Sequence, residues 1–232
     1  MRLFHTPFVL KNKQLTLSEE RVVKHARVLR LQVWNEIAVQ DTVDGVTIRY
    51  ICCIAEMSKN HILCNILSSD QRLLETWIGM LVGIPNTNDK LHTIVQKLTE
   101  IGISDIVFWK NDRSTGQDIS VKKLSKICKI SLESLEQSNG RQLPTISQVD
   151  NIHERVVGKE LVLFDFEWQD VTSIQWIPTD RLYGVVWPEG HFSPRDYETI
   201  WFQVVSKISL GDHILRTETA AITGAWALKN LI

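Results

Sequence analysis

Four cysteines in 232 residues are too few, and too irregularly placed, for a disulfide scaffold. Cys52, Cys53, Cys64 and Cys128 form no C-x-x-C pair, and no Cys/His cluster has zinc-ligand spacing. They read as reduced core thiols, with no metal. No run approaches the ~20 apolar residues that span a bilayer, so no membrane association is expected. Met1-Arg2-Leu3-Phe4-His5 leads into Lys11 and Lys13 without the apolar stretch of a signal peptide, and the expected location is cytoplasmic. No G-x-G-x-x-G follows a strand pattern, and Walker A, G-x-S-x-G and H-E-x-x-H sequences are missing. Dinucleotide, P-loop, serine-nucleophile and zinc-hydrolase chemistry therefore lose support. Charge of one sign is lacking too: the net charge of −1 gives no global basic field. The chain has no internal repeat, no low-complexity segment and no Pro/Gly-rich linker.

What is present is an ordinary core fraction, 44% hydrophobic, and an uneven charge distribution. Residues 1–72 carry ten Lys/Arg against seven Asp/Glu, and residues 73–232 carry sixteen against twenty. A basic front and a mildly acidic back suggest two parts with different tasks. Residues 1–70 read as mainly β with one helix. Ser18 suits an N-cap, with Glu19 and Glu20 in the first turn where the helix dipole favours acids. Arg21, Lys24, His25, Arg27 and Arg30 follow, over apolar Val22, Ala26 and Leu29 at helical spacing. Strand-like runs come next, Glu36 to Val39, Val46 to Ile54 and Ile62 to Leu67, with turn signals at Asp44-Gly45 and Lys59-Asn60. The pattern is that of a small β-barrel carrying a basic helix, either a solvated face or an RNA-binding one.

Ser68-Ser69-Asp70 is the expected boundary, and residues 71–232 form the second domain. Here strands alternate with helices. Asp89 to Ile101 places Leu91, Ile94, Val95, Leu98 and Ile101 on one helical face, and Gly102 suits the C-terminal cap. Ile103 to Trp109 reads as a buried strand. Ile119 to Leu135 reads as a long helix with Val121, Leu124, Ile127, Cys128 and Leu135 inward. Leu161 to Phe166 and Leu182 to Trp187 are near-continuous apolar runs, as in parallel strands covered on both faces. Ser193-Pro194 starts another helix. The class is α/β with a parallel sheet.

The densest signal is Leu210-Gly211-Asp212-His213-Ile214-Leu215-Arg216-Thr217-Glu218-Thr219-Ala220. A strand-like run ends at Gly211-Asp212, and Thr217 opens a helix. A strand end, a turn and a helix N-terminus within a dozen residues gather backbone N–H groups able to hold a small polar ligand. The same string also reads as a plain loop before a terminal helix.

Other segments stand in a particular order around it. They are Met1 to Phe4, His25-Ala26-Arg27-Val28-Leu29-Arg30-Leu31, Gln96-Lys97-Leu98-Thr99-Glu100-Ile101-Gly102-Ile103, Asp112-Arg113-Ser114, Glu136-Gln137-Ser138 and Trp187-Pro188-Glu189-Gly190-His191-Phe192-Ser193. Together they resemble the RsmE family of 16S ribosomal RNA uridine N3-methyltransferases, of the SPOUT superfamily. The resemblance covers nearly the whole chain. It implies a PUA-like RNA-binding barrel over 1–70 and a SPOUT domain with a trefoil knot over 71–232. It also implies a homodimer, S-adenosylmethionine as methyl donor, and 16S ribosomal RNA or the small ribosomal subunit as partner. Trp187, Pro188, Gly190, Leu210, Gly211, Ile214, Leu215 and Thr219 would line the cofactor pocket. Arg216, Arg113 and Glu189 would serve catalysis, and Arg2, His25, Arg27, Arg30 and Arg141 would meet RNA. Lys97 and Glu100 would position their helix. Trp187 and His191 stand where the family pattern has glycine, and Arg141 is one place beyond the family arginine. These departures leave open a second reading, a SPOUT-fold RNA-binding protein with weakened or lost catalysis.

Overall fold

The computed structural model describes residues 1–43, 46–73, 77–110, 118–150, 152–164, 182–187 and 194–231. The chain forms two units, Met1–Glu75 with Leu135–Gln142, and Thr76–Ser134 with Leu143–Ile232.

The first unit is built on a six-stranded mixed sheet. Its elements are β1 (Arg2–His5), β2 (Val9–Lys11), β3 (Gln14–Leu17), α1 (Glu20–Val28), β4 (Glu36–Val43), β5 (Val46–Met57) and β6 (Ile62–Leu73). The order is β1-β4-β5-β6-β3-β2, with β1 parallel to β4 and the other pairs antiparallel. Two-residue alternation sends Leu15, Leu17, Ile37, Val39, Cys52, Ile54, Ile62 and Cys64 into one cluster, closed by Val22, Val23 and Ala26 of α1. Burial pushes the Cys64 thiol up to about 12 and the Cys52 thiol up to about 11, so both are inert at neutral pH.

Three expectations change here. Strand β6 continues through Ser68-Ser69-Asp70, with Asp70 paired opposite Arg49, because polar residues on the open side of a strand do not end it. Ser18 does not cap α1. The N-cap position falls to Glu19, whose carboxylate accepts from Thr6 Oγ1 at 2.6 Å and from Arg21 Nε at 3.2 Å instead of from the helix. Of the four thiols, all free, only Cys52 and Cys64 are buried; Cys53 is half-buried and Cys128 exposed.

The second unit holds an all-parallel six-stranded sheet, β12-β10-β11-β7-β8-β9. Its strands are β7 (Ile78–Gly83), β8 (Asp105–Trp109), β9 (Thr145–Val149), β10 (Glu160–Phe164), β11 (Leu182–Val186) and β12 (Val204–Ile208). Its helices are α2 (Asn88–Ile101), α3 (Val121–Ser138, ending in the first unit), α4 (Ile152–Val156), α5 (Pro194–Ile200) and α6 (Thr217–Leu231). Both faces are covered, which explains the continuous apolar runs. One face carries Met80, Val82, Ile106, Phe108, Val162 and Phe164 against Leu91, Ile94, Val95 and Leu98 of α2 and Ala221, Ala225 and Leu228 of α6. The other carries Leu81, Val107, Leu161, Leu163, Tyr183 and Val185 against Ile152 and Val156 of α4 and Ile200 of α5.

Thr87 caps α2 by accepting from the Lys90 N–H, and Gly102 ends that helix at φ +87°, a left-handed C-terminal cap. Helix α3 starts at Val121 and projects its first turn into solvent: Val121 is 86% exposed, against the inward placing expected of it. Leu124 and Ile127 do face the core. Two glycines set how closely α6 approaches the sheet. A Cβ on Gly184 of β11 would lie 2.8 Å from Leu228 Cδ1, and one on Gly224 of α6 would lie 2.6 Å from Phe164 Cε2. At the N-terminal end of β8, the fully buried Asp105 accepts from Arg155 at 2.6 Å, from Tyr183 at 2.5 Å and from Thr145 Oγ1, which satisfies its charge.

Candidate active site

Strand order in the second unit reverses at β7: β8 and β9 build out on one side, and β11, β10 and β12 on the other. In open parallel sheets, ligands bind at such a reversal, beyond the carboxyl ends of the strands. The segments that leave β11 and β12 at that end are Trp187 and Ile208 to Arg216, two of the stretches singled out in the sequence.

One hydrogen bond joins them. Thr217, the buried first residue of α6, donates its Oγ1 to the Trp187 carbonyl at 3.2 Å. The α6 N-terminus is thereby fixed against the end of β11. Lys90 and Glu218 add an ion pair at 3.9 Å. Before the helix, Ser209 Oγ donates to the Gly211 carbonyl at 3.1 Å and accepts from the Gly211 N–H at 3.3 Å, shaping a turn in which Gly211 takes φ +116°. A side chain there would be strained, so glycine is required.

The predicted residues divide as follows. Leu210 packs on the core beneath α6. Leu215 is half-buried, while Gly211, Arg216 and Thr219 are exposed and Ile214 is 73% exposed. Here an exposed apolar side chain, Ile214, stands beside a helix N-terminus whose first N–H groups can meet a polar ligand. Pro188, Glu189, Gly190, His191 and Arg113 lie outside the described residues.

Trp187 decides whether the pocket can stand. Its indole continues the alternation of Tyr183 and Val185, packs on their face of the sheet, and donates Nε1–H to the Phe164 carbonyl. Leu210 and α6 occupy the opposite face. The Trp187 ring therefore lies on the sheet face opposite Leu210 and does not bar a ligand from the Leu210 side.

The residues expected to meet RNA differ in how free the fold leaves them. Arg21 is withdrawn from the basic face: its Nη1 donates to Glu136 at 3.0 Å and its Nη2 to the His5 carbonyl at 3.0 Å. Lys24 pairs with Glu20 at 2.5 Å. His25 is half-buried, its ring edge-on to Phe4 at 5.9 Å. Arg141 pairs with Asp70 at 2.5 Å. Arg2, Arg27 and Arg30 stay exposed, with Arg27 Nη2 donating to the Ser58 carbonyl at 2.8 Å. Sequence reasoning missed Thr217 as the tie and Glu136 as a buried structural acid. Lys97 and Glu100 pair at 2.8 Å on α2. No cluster of metal-binding side chains occurs among the described residues.

The family described as RNA methyltransferase domain matches residues 72–229, which takes in β7 through α6. The chain belongs to that family. Among relatives, the ribosomal RNA small subunit methyltransferase E of Aquifex aeolicus is 27% identical over 224 residues, covering 93% of this chain and 94% of its own. The protein of the same name from Rickettsia conorii is 26% identical over 231 residues, covering 96% and 92%. Among solved structures, the Neisseria gonorrhoeae ribosomal RNA small subunit methyltransferase E bound to S-adenosylmethionine superposes with a TM-score of 0.83 at 21% identity, covering 100% of this chain and 98% of that one. That likeness establishes a shared fold from end to end. The matched range takes in the turn before α6.

Proposed function

We propose that this chain methylates N3 of a uridine in 16S ribosomal RNA, with S-adenosylmethionine as donor. The observation that carries the reading is the family match over 72–229 joined to full-length relatives named for small-subunit ribosomal RNA methylation. The Thr217–Trp187 tie at the carboxyl end of a parallel sheet supports its placing.

S-adenosylmethionine, when bound, supplies a methyl group on a sulfonium. The protein's task is to hold that group in line with the uracil nitrogen and to favour the charge that develops. Leu210, Ile214 and Leu215 offer the apolar wall, and the turn at Gly211 offers backbone. By the resemblance, the Trp187 backbone, Pro188, Gly190 and Thr219 would complete the cradle. Uracil N3 loses its proton during transfer, which puts negative charge on the flanking carbonyls. Arg216, exposed one residue before α6, stabilises that charge. By the resemblance, Arg113 would share that charge and Glu189 would accept the N3 proton.

The proposal extends to architecture. The first unit acts as a PUA-like RNA-binding module, and α6 is threaded in a SPOUT knot. The enzyme works as a cytoplasmic homodimer. A hollow of about 400 Å³ between α2 and α6, lined by Ile101, Ile222 and Trp226, supports pairing, since Trp226 is 59% exposed. No helix among the described residues is long and apolar enough to cross a membrane.

Calorimetric titration with S-adenosylmethionine, followed by transfer of labelled methyl to small-subunit RNA, tests the function. Binding with transfer to a uridine N3 is the expected result. No binding at millimolar cofactor overturns it.

A further inference from the structure

The loop joining α1 to β4 contains two residues with left-handed backbone, Arg30 at φ +54° and Trp34 at φ +76°. Glycine adopts that conformation freely, and a tryptophan there is an outlier. The loop is nonetheless firmly built. The Trp34 N–H donates to the Ile54 carbonyl at 2.9 Å, and the Ile54 N–H returns to the Asn35 carbonyl at 3.0 Å. Asn35 Oδ1 accepts from the Gln32 N–H at 2.8 Å. These bonds hold Trp34 in place, and its side chain is 78% exposed. Val28 and Val33, 78% and 40% exposed, share the same stretch.

Basic groups lie near it in the chain. Arg30 is in the same loop, and Arg27, the next-to-last residue of α1, bonds Ser58 in the β5–β6 turn, where Lys59 is also exposed. Of the acids nearby, Glu56 is engaged by His61 at 3.7 Å, and Glu36 opens β4. A held-out indole among cations matches the chemistry of an unpaired nucleic-acid base: a flat π-face for the base and positive charge for its phosphates.

We infer that Trp34 is a stacking platform for an unpaired base of the RNA substrate, flanked by Arg27 and Arg30 as phosphate contacts. This deepens the RNA-methylating reading and rests on it. It gives the first unit a preference for single-stranded RNA.

The left-handed backbone allows a clean test. Trp34→Gly relieves the backbone and removes the ring, so it should leave the thermal midpoint equal or higher while weakening RNA binding. The probe is a fluorescein-labelled 12-nucleotide single strand of mixed sequence, measured by anisotropy beside a duplex of the same sequence. Loss of one stacked base should lower single-strand affinity about five- to a hundredfold, with little change for the duplex. Trp34→Phe, which keeps a π-face, should retain most of the affinity. Unchanged single-strand affinity in Trp34→Gly overturns the inference, as do equal losses for strand and duplex. Loss of self-association with RNA affinity intact also overturns it and makes the patch a protein contact. If the wild-type protein binds S-adenosylmethionine but neither RNA, the RNA reading itself falls, and this inference with it. Methyl transfer that proceeds normally in Trp34→Gly sinks the stacking role alone.

Discussion

At the scale of single residues, position relative to the backbone decides more than residue type. Arg216 and Arg141 are alike in composition, yet Arg141 is spent on Asp70 while Arg216 stands exposed at the N-terminal edge of α6. Arg216→Ala should therefore lower turnover by about a hundredfold or more, because charge grows on the uracil only as the proton leaves. Cofactor affinity should change little, and steady-state kinetics beside calorimetry separates the two; an unchanged rate removes Arg216 from the mechanism. His5 offers a pH test in the first unit. Burial lowers its pKa below the usual 6.5, with Asp41 and Glu136 opposing and Arg21 assisting. The unfolded chain thus takes up that proton more readily than the folded one. The stability this imidazole contributes is full above pH ~6.5 and is lost as pH falls toward its folded value. Denaturation midpoints of His5→Gln should accordingly vary less between pH 7 and 5 than those of the wild type. Parallel curves would show that other groups govern that window.

At the scale of elements, the tightest constraint is the seat of α6. Gly184 and Gly224 approach the Phe164 ring from strand and helix, and a Cβ on either would fall within 3 Å of it. For Gly224→Ala two effects compete. Alanine gains about 1 kcal/mol of helix propensity, while overpacking a filled core costs about 1–3 kcal/mol. Phe164 is 4% exposed with little room to swing, so packing should win by about 1–2 kcal/mol. Lifting α6 also strains the Thr217–Trp187 bond, so cofactor affinity should fall with the urea midpoint; a raised midpoint would show that the ring yields. The elements themselves were largely legible, because local chemistry dictates them: Gly102 ends α2 as its left-handed cap, and Leu161 to Phe164 and Leu182 to Val186 are strands buried on both faces. Legibility fails where a partner is distant. Nothing in the sequence tells that Arg21 is consumed by Glu136, 115 residues away, or that Trp187 turns to the far face of the sheet. Helix starts fail for another reason. Ser18 has the chemistry of a cap, but the N-cap position falls at Glu19, whose carboxylate bonds Thr6 and Arg21 rather than the helix N–H groups.

At the scale of the whole molecule, a net charge of −1 means that no overall field draws RNA in. Attraction must come from local cations, and the fold thins those that the sequence offers. Arg21, Lys24 and Arg141 are paired with acids, leaving Arg27 and Arg30 exposed at the end of α1. Each cation that meets a phosphate adds to the salt dependence, so removing one of them should be visible in the slope. For single-stranded RNA each neutralised phosphate contributes about 0.7 to the slope of log K against log salt. The double variant Arg27→Gln/Arg30→Gln should flatten that slope by about 1.4 and weaken binding across sequences alike. The β5–β6 turn keeps its own Ser58–His61 bonds when the Arg27 contact is lost, so the turn holds its shape and the loss is electrostatic. A slope equal to that of the wild type would mean that this face of α1 looks away from the RNA. The basic front of the chain would then serve solubility, and the search for the RNA track would move to Arg2 on β1.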